Sequence, residues 1–356
     1  MTFRWYGEKM DPIPLKYIRQ IPGMTGVVSS LMDLPAGEVW PMDRVEEIHR
    51  QVTEAGLELE VIESVNVHED IKLGLPTRDR YIRNYIDTID HLGRIGIKVI
   101  CYNFMPVFDW TRTNLAMELP DGSTTMCYEQ SVIDGIRDPQ SFADEIQKKT
   151  DGFEMAGWEP ERMAELKSMF RAYEAVSHED LFRNCTYFLE AIMPACRRNG
   201  IRMAMHPDDP AWDIFGLPRI ANSIESFDRI LNAVDDPCNS ITLCTGSLGC
   251  SRSNDVAEAI RHFGKKDRIA FAHIRNLRFF EDRDGFYESS HLSSDGSFDM
   301  YEIVKAFVEV GFDGYVRPDH GRMIWDEKGR ARYGLYDRAL GATYLNGLWE
   351  AIEKAE

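Results

Sequence analysis

Short apolar runs alternate with amphipathic helical patterns along most of the chain, and this alternation constrains the fold more than any other feature. One such helix spans residues 41–55, where Val45, Ile48 and Val52 recur at helical spacing. Eight runs are typical of buried strands: residues 25–31, 57–63, 98–104, 202–206, 240–244, 269–273, 286–292 and 314–319. Parallel strands joined by crossover helices in this number predict a single-domain α/β fold over residues 1–356, a (β/α)8 TIM barrel.

One long segment interrupts the alternation. From residue 105 to about residue 175 the sequence has no clear strand, and charged helical patterns occur at 140–149 and 159–170. This segment is too long for a loop in a compact barrel, so we predict a mostly helical insertion after the third strand, lying over the mouth. The alternative is a separate small domain.

Composition narrows the classes of partner. The 356 residues carry a formal net charge of −18, which disfavours nucleic acid and anionic membranes. No apolar run is long enough to span a bilayer, and the N-terminus lacks the apolar region of a signal peptide. Seven cysteines, an odd number without a CxxC pair, favour a reducing cytoplasm. Apolar and aromatic residues in the insertion favour a homodimer.

Four residues with metal-ligand chemistry end four of the predicted strands: His206, Cys244, His273 and Asp319. Taken singly, each is more often a structural residue than a ligand. Because the carboxyl ends of barrel strands converge on one mouth, we predict that all four bind one metal there. Ligand softness suits zinc, whereas a six-coordinate Mn²⁺ or Fe²⁺ would keep positions open for a substrate; the residues alone leave this choice open.

Charged and aromatic residues near these strand ends are candidates for substrate binding. Arg275 shares the phase of His273, and Arg317 shares that of Asp319, so both could hold an anionic, oxygen-rich substrate. The alternative for each arginine is a salt bridge to a barrel carboxylate such as Glu63 or Glu288. His320 reaches the mouth if the chain turns after Asp319, and Tyr333 lies on a polar loop suited to covering a substrate. Arg4 and Trp5 precede the first predicted strand and could cap the mouth or plug the bottom of the barrel.

These residues occur in motifs that together resemble those of the D-mannonate dehydratase family over nearly the whole chain. The motifs are Arg4-Trp-Tyr-Gly7, Thr25-Gly-Val-Val28, Gly37-Glu-Val-Trp40, Met205-His-Pro-Asp-Asp-Pro210, Cys244-Thr-Gly-Ser247, His273-Ile-Arg-Asn276 and Arg317-Pro-Asp-His-Gly321. The resemblance implies a xylose-isomerase-like barrel that converts the aldonate D-mannonate to 2-keto-3-deoxy-D-gluconate and water in hexuronate catabolism. It implies Mn²⁺ or Fe²⁺ as cofactor, held by the four predicted ligands. His320, Tyr333 and Arg275 fall at positions implicated near the substrate, with Arg4, Trp5 and Arg317 as further substrate-binding candidates.

Two other functions remain open from the sequence. A metal-dependent sugar isomerase or epimerase would need the same metal on the same barrel, since fold does not fix reaction. A non-catalytic acid-sugar-binding protein would bind without turnover. For a dehydratase, His320 and Tyr333 would share the acid and base roles, in an order that the sequence does not assign.

Overall fold

A computed structural model describes residues 1–136, 166–330 and 332–355. Its strands are β1 (Thr2–Arg4), β2 (Gly26–Ser29), β3 (Glu58–Glu63), β4 (Val99–Tyr102), β5 (Asn114–Glu118), β6 (Thr124–Glu129), β7 (Arg202–Met205), β8 (Asn239–Cys244), β9 (Ile269–Ile274), β10 (Leu277–Phe279), β11 (Gly285–Glu288) and β12 (Tyr315–Pro318). Its helices are α1 (Leu15–Ile18), α2 (Met42–Glu54), α3 (Glu69–Lys72), α4 (Arg78–Arg94), α5 (Gln130–Asp134), α6 (Leu166–Tyr173), α7 (His178–Asn199), α8 (Ile224–Ala233), α9 (Thr245–Gly249), α10 (Val256–Gly264), α11 (Met300–Glu309) and α12 (Tyr336–Glu353).

Eight parallel strands form the barrel, in the order β1-β2-β3-β4-β7-β8-β9-β12. At the seam between the first and last strands, the Thr2 hydroxyl donates a hydrogen bond of 2.9 Å to the Val316 carbonyl. Buried apolar side chains fill the barrel interior, among them Val28, Val61, Ala204 and Phe271. The predicted (β/α)8 barrel is confirmed.

One of the eight predicted barrel strands is wrong, and one barrel strand was not predicted. The first barrel strand is β1, whose three residues are too few to show a periodic pattern in the sequence. The run at 286–292 does not join the barrel: β11 pairs antiparallel with β10 and β6. Its alternately buried and half-buried residues suit a strand with one covered face. The ligand-bearing runs are therefore barrel strands five to eight.

The second sheet is antiparallel, with the order β10-β11-β6-β5. Phe286 of β11 stacks on Tyr128 of β6, with ring centroids 5.7 Å apart, inside a second apolar core. β5 and β6 lie in the segment 105–175, so the expectation that this segment has no strand is wrong for them, and the segment follows the fourth barrel strand. The helical pattern predicted at 140–149, and most of the one at 159–170, lie outside the described residues.

Helices cover the outside of the barrel. The longest of those described, α7, begins at a capping box formed by Ser177 and Asp180 and ends at Gly200, which has φ +63°. Among the described residues, no helix is both long enough and apolar enough to cross a bilayer. All seven cysteines are free thiols.

Candidate metal centre

The four predicted ligands meet at the carboxyl ends of adjacent barrel strands. His206 follows β7, Cys244 ends β8, His273 lies near the end of β9, and Asp319 follows β12. One ligand atom from each of His206, Cys244 and His273 lies within 4.8 Å of the others. Cys244 Sγ is 3.6 Å from Asp319 Oδ2, and His273 Nδ1 is 4.0 Å from Asp319 Oδ1. Three of the candidate ligands thus form one compact group, and Asp319 adjoins two of them without belonging to that group.

The donor set and its surroundings fit a divalent transition metal. His206 Nδ1 lies 2.7 Å from the Pro207 carbonyl, which only accepts, so Nδ1 donates to it and Nε2 is the nitrogen left to bind a metal. His273 Nε2 lies 3.3 Å from Glu63 Oε2, as an outer carboxylate does beside a metal-bound imidazole. Buried Asp319 Oδ1 makes no well-aligned hydrogen bond among the described residues, but the guanidinium of Arg317 lies beside it, with Nη2 2.8 Å away.

Electrostatics prepare Cys244 as a thiolate. Burial alone would raise the pKa of its thiol, but the positive charge of Arg275 and hydrogen bonds from His206 and His273 lower that pKa to about 5. Burial lowers the pKa of His206, whereas its hydrogen bond and attraction to Cys244 raise it to about 9. Since the thiolate is the form that binds metal, the site favours the form of Cys244 that a metal needs.

Both predicted arginines carry salt bridges near the ligands. Arg317 Nη2 contacts Glu63 Oε1 at 3.0 Å and Asp319 Oδ1 at 2.8 Å. Arg275 contacts Glu288, Asp209 and Asp319, so each of its three guanidinium nitrogens faces a carboxylate. The sequence left a salt bridge to a carboxylate as the alternative for each arginine, and the structure contains both: Arg317 pairs with Glu63, and Arg275 pairs with Glu288. Arg275 does not line the cavity at the mouth.

A cavity opens at the mouth directly above the candidate ligands. Its lining includes Arg4, Tyr6, Trp110, Arg317, His320, Arg332 and Tyr333, besides the ligands His206 and Asp319. Buried guanidinium nitrogens of Arg4, Arg317 and Arg332 have no hydrogen-bond partner among the described residues. These nitrogens can donate to an anion that enters the cavity.

The side chains of Arg4 and Trp5, near the N-terminus, lie in two different environments. Arg4 lines the cavity, and its guanidinium lies 4.4 Å from the ring centre of Tyr6. Trp5 is directed away, as neighbouring strand residues are, and its Nε1 donates to the Ile13 carbonyl at 3.1 Å. The structure therefore does not bring Trp5 to the cavity with the other candidate substrate-binding residues.

His320 reaches the mouth because β12 has already ended at Pro318. Its Nε2 lies 3.2 Å from Asp319 Oδ1 and 3.4 Å from the Tyr333 hydroxyl, while its Nδ1 lies 3.4 Å from Arg332 Nη1. Burial and the charge of Arg332 hold the pKa of His320 well below its usual range. A neutral imidazole is therefore paired with a phenol at the edge of the cavity.

Several residues of the site were not predicted as functional. Arg332 directly precedes Tyr333 on the same polar loop, but the sequence does not show that its side chain lines the cavity. Its backbone φ is +66°. Asp209 lies in the same motif as His206, which was the available signal. Arg112 lies in the segment with no assigned strand, and nothing in its sequence neighbourhood indicates its contacts.

Known proteins resemble this chain over its full length. The family model described as D-mannonate dehydratase (UxuA) matches residues 1–356. The mannonate dehydratase of Thermotoga neapolitana is 56% identical over 354 residues, covering 99% of this chain and 98% of that protein.

Two solved structures are similar to this chain, one in sequence and fold and the other in fold alone. The crystal structure of mannonate dehydratase from Streptococcus suis serotype 2 matches with a TM-score of 0.90 at 46% identity, covering 100% of this chain and 95% of that one. The 3-keto-D-glucoside 4-epimerase of E. coli has a TM-score of 0.56 at 13% identity, covering 97% and 98% of the two chains, which shows the barrel fold alone. From the whole-length family match and the relative at 56% identity, the chain belongs to the D-mannonate dehydratase family.

Proposed function

We propose that this chain dehydrates D-mannonate to 2-keto-3-deoxy-D-gluconate and water, as a step in hexuronate catabolism. The observation that carries the proposal is the cavity lined by two of the candidate metal ligands, His206 and Asp319, and by three arginines with unsatisfied donors. The relatives named mannonate dehydratase, which match over nearly all of both chains, support this substrate. The net charge of −18 would repel an aldonate, so a local cluster of arginines is needed to attract it.

The proposed cofactor is Mn²⁺ or Fe²⁺, held by His206, Cys244, His273 and Asp319. Such an ion supplies Lewis-acid stabilisation of the negative charge that develops on substrate oxygens. Four protein ligands would complete a tetrahedral zinc, whereas a six-coordinate ion keeps two positions open, and this supports Mn²⁺ or Fe²⁺.

Arg4 and Arg317 are the proposed substrate-binding residues. Both guanidinium groups are nearly inaccessible to solvent, and both have unpartnered nitrogens among the described residues. A buried guanidinium binds a carboxylate through two parallel hydrogen bonds, which fixes the orientation of the substrate. His320 and Tyr333 line the same cavity as these two arginines. Arg275 has a different role, argued below.

His320 and Tyr333 are the proposed proton-transfer groups. The reaction removes the proton at C2 and breaks the C3–O bond, and the departing hydroxyl takes up a proton and leaves as water. The resulting enol tautomerises to the keto acid. The 3.4 Å between the Tyr333 hydroxyl and His320 Nε2 supports a shared role, because one group can accept a proton while the other donates one.

The test is to incubate metal-stripped protein with D-mannonate, with and without Mn²⁺, and to assay for a 2-keto-3-deoxy acid. We expect product only with Mn²⁺. A folded protein that binds the metal but forms no keto-deoxy acid would overturn the proposal. An isomerised or epimerised product with all its oxygens retained would assign the barrel to sugar isomerisation instead. Tight binding without turnover would indicate an acid-sugar-binding protein.

We also propose a cytoplasmic location and a homodimer. Seven free thiols, six of them buried, support a reducing compartment. For the homodimer, Val132 is an exposed apolar side chain on the segment where we expect subunit contact. Light scattering at micromolar concentration is the measurement: a dimeric mass supports the homodimer, and a monomeric mass contradicts it.

A further inference from the structure

We propose that Arg112 is a positioning residue of the metal centre, which acts through Asp209 and Glu288 to hold Arg275 against the ligand Asp319. This inference rests on the proposed function, because it concerns the same site. It assigns a role in that site to a residue outside the barrel, just before β5. It also explains why Arg275, although close to the ligands, does not line the cavity.

The guanidinium of Arg112 is completely buried and bridges two carboxylates. Its Nη1 and Nη2 lie 2.6 and 3.1 Å from the two oxygens of Asp209, a bidentate pair. Its Nε and Nη2 lie 3.2 and 2.7 Å from Glu288 Oε1. The ring of Phe286 covers it, with its centre 4.9 Å from Cζ. Arg112 thus fixes the separation of Asp209 and Glu288.

The same two carboxylates fix Arg275 on their other side. Arg275 Nη2 lies 3.0 Å from Asp209 Oδ2, and its Nη1 pairs with Glu288 Oε2. Its remaining nitrogen, Nε, lies 2.8 Å from Asp319 Oδ2. Two of these nitrogens are hydrogen-bonded to Asp209 and Glu288, whereas Nε makes only an ion pair with Asp319, so the orientation of Arg275 toward Asp319 depends on where Asp209 and Glu288 are held.

A second route connects this network to Cys244. Arg275 Nη2 lies 3.0 Å from Ser247 Oγ, which lies 3.1 Å from Cys244 Sγ. Ser247 Oγ also donates to Asp209 Oδ2 at 3.0 Å. Both metal ligands that carry negative charge are therefore in contact with the network.

Removing Arg112 changes the competition for Arg275. Asp209 and Glu288 would then have Arg275 as their shared cation in the network, and their attraction would draw it from Asp319. Buried carboxylates that lose a partner charge are strongly destabilised in place, so their side chains would move. We expect Asp319 and Cys244 to be less well oriented for an ion, although no ligand has been changed.

The experiment compares Arg112→Met and Arg112→Lys with a control, Arg202→Met. Arg202 is a partly buried arginine at the start of β7, and its Nη1 pairs with Asp267 at 3.2 Å, outside the network of Arg112 and Arg275. Each metal-stripped protein is titrated with Co²⁺, whose thiolate charge-transfer absorption reports on Cys244, and affinity is measured by calorimetry. Circular dichroism establishes that each variant is folded.

We expect Arg112→Met to bind Co²⁺ about 10- to 100-fold more weakly than wild type, with a weakened or shifted charge-transfer band. Arg112→Lys should also bind more weakly, because an ammonium cannot replace the bidentate fork. The control should keep the wild-type affinity and spectrum. Wild-type affinity and spectrum in folded Arg112→Met would overturn the proposal, as would equal losses in the control.

A third variant covers the case in which Arg112→Met does not fold. A Cβ added at Gly246 would collide with Cζ and Nε of Arg275, so Gly246→Ala displaces the guanidinium without removing any charge. Weaker Co²⁺ binding by Gly246→Ala and Arg112→Lys supports the proposal, and wild-type binding by both overturns it. Because Co²⁺ binding needs no turnover, a wild-type protein that fails to dehydrate mannonate overturns the proposed function without deciding this inference.

Discussion

His320 is placed to exchange a proton with a bound substrate without being a metal ligand itself. Its imidazole is buried and lies between Asp319, Arg332 and Tyr333. We expect His320→Asn to lower kcat by about 10²- to 10⁴-fold, which is the rate acceleration that general acid–base catalysis usually contributes. The metal content should not change. Steady-state kinetics and metal analysis measure both quantities. His178→Asn, which changes an exposed imidazole paired with Asp213, is the control. Wild-type kcat in folded His320→Asn would refute the proton-transfer role.

The Tyr333 hydroxyl can be tested separately from its ring. The ring packs edge-on against Tyr6 at 5.1 Å, and Tyr333→Phe keeps this contact. We expect a loss in kcat of about 10²-fold or more, because a proton-transfer group is removed, and little change in the melting temperature. Kinetics and thermal unfolding give both values. A variant with normal kcat would leave His320 as the sole proposed proton-transfer residue.

At this scale the proximity of the four candidate ligands could be predicted because each ends an apolar run, and the carboxyl ends of barrel strands meet at one mouth. The salt bridge of Arg275 to Glu288 could be proposed from the sequence, but its contact with Asp209 and the part of Arg112 could not, since Asp209 and Arg112 lie in segments without periodic pattern. The motif Arg4-Trp-Tyr-Gly7 made both Arg4 and Trp5 candidates for substrate binding. Neighbouring side chains point in opposite directions along an extended backbone, so only Arg4 lines the cavity.

Among the elements, β1 is short but closes the barrel. The Thr2 hydroxyl is buried and donates to the Val316 carbonyl of β12. Thr2→Val would leave that carbonyl without this hydrogen bond, and we expect the free energy of unfolding to fall by about 1–3 kcal/mol. Urea unfolding measures the change. Thr25→Val is the matched control: its hydroxyl donates to the Met1 carbonyl at 3.1 Å in an exposed place, where water can substitute. Equal losses in both variants would contradict the argument.

The barrel strands that could be predicted are those of four or more residues that lie between helical patterns. β1 is too short for periodicity to identify, and β11 has the composition of a barrel strand but a different partner. The partner of a strand depends on tertiary packing, which the local sequence does not determine. For β11 that packing is the aromatic core that includes Tyr128 and Phe286.

For the whole molecule, the proposed metal centre would join four strands from one half of the barrel, so we expect a bound ion to raise global stability. We expect saturating Mn²⁺ to raise the melting temperature relative to protein in chelator; at about 100 times Kd the gain is about 2.7 kcal/mol. Cys244→Ser should lose most of this gain, because it removes the thiolate. Differential scanning calorimetry with and without Mn²⁺ measures the shift. An equal shift in wild type and Cys244→Ser would place the bound ion elsewhere.

The seam between Thr2 and Val316 also bears on how the chain is made. Residues 2 and 316 lie at opposite ends of the sequence, yet they meet at the last joint of the barrel. During translation, β1 cannot pair with β12 until β12 has left the ribosome. Until then its edge stays unpaired, and an unpaired edge of this kind is prone to aggregation. Nascent chains that stall before residue 315 therefore cannot close the barrel, so elongation sets the earliest moment at which the native state can form.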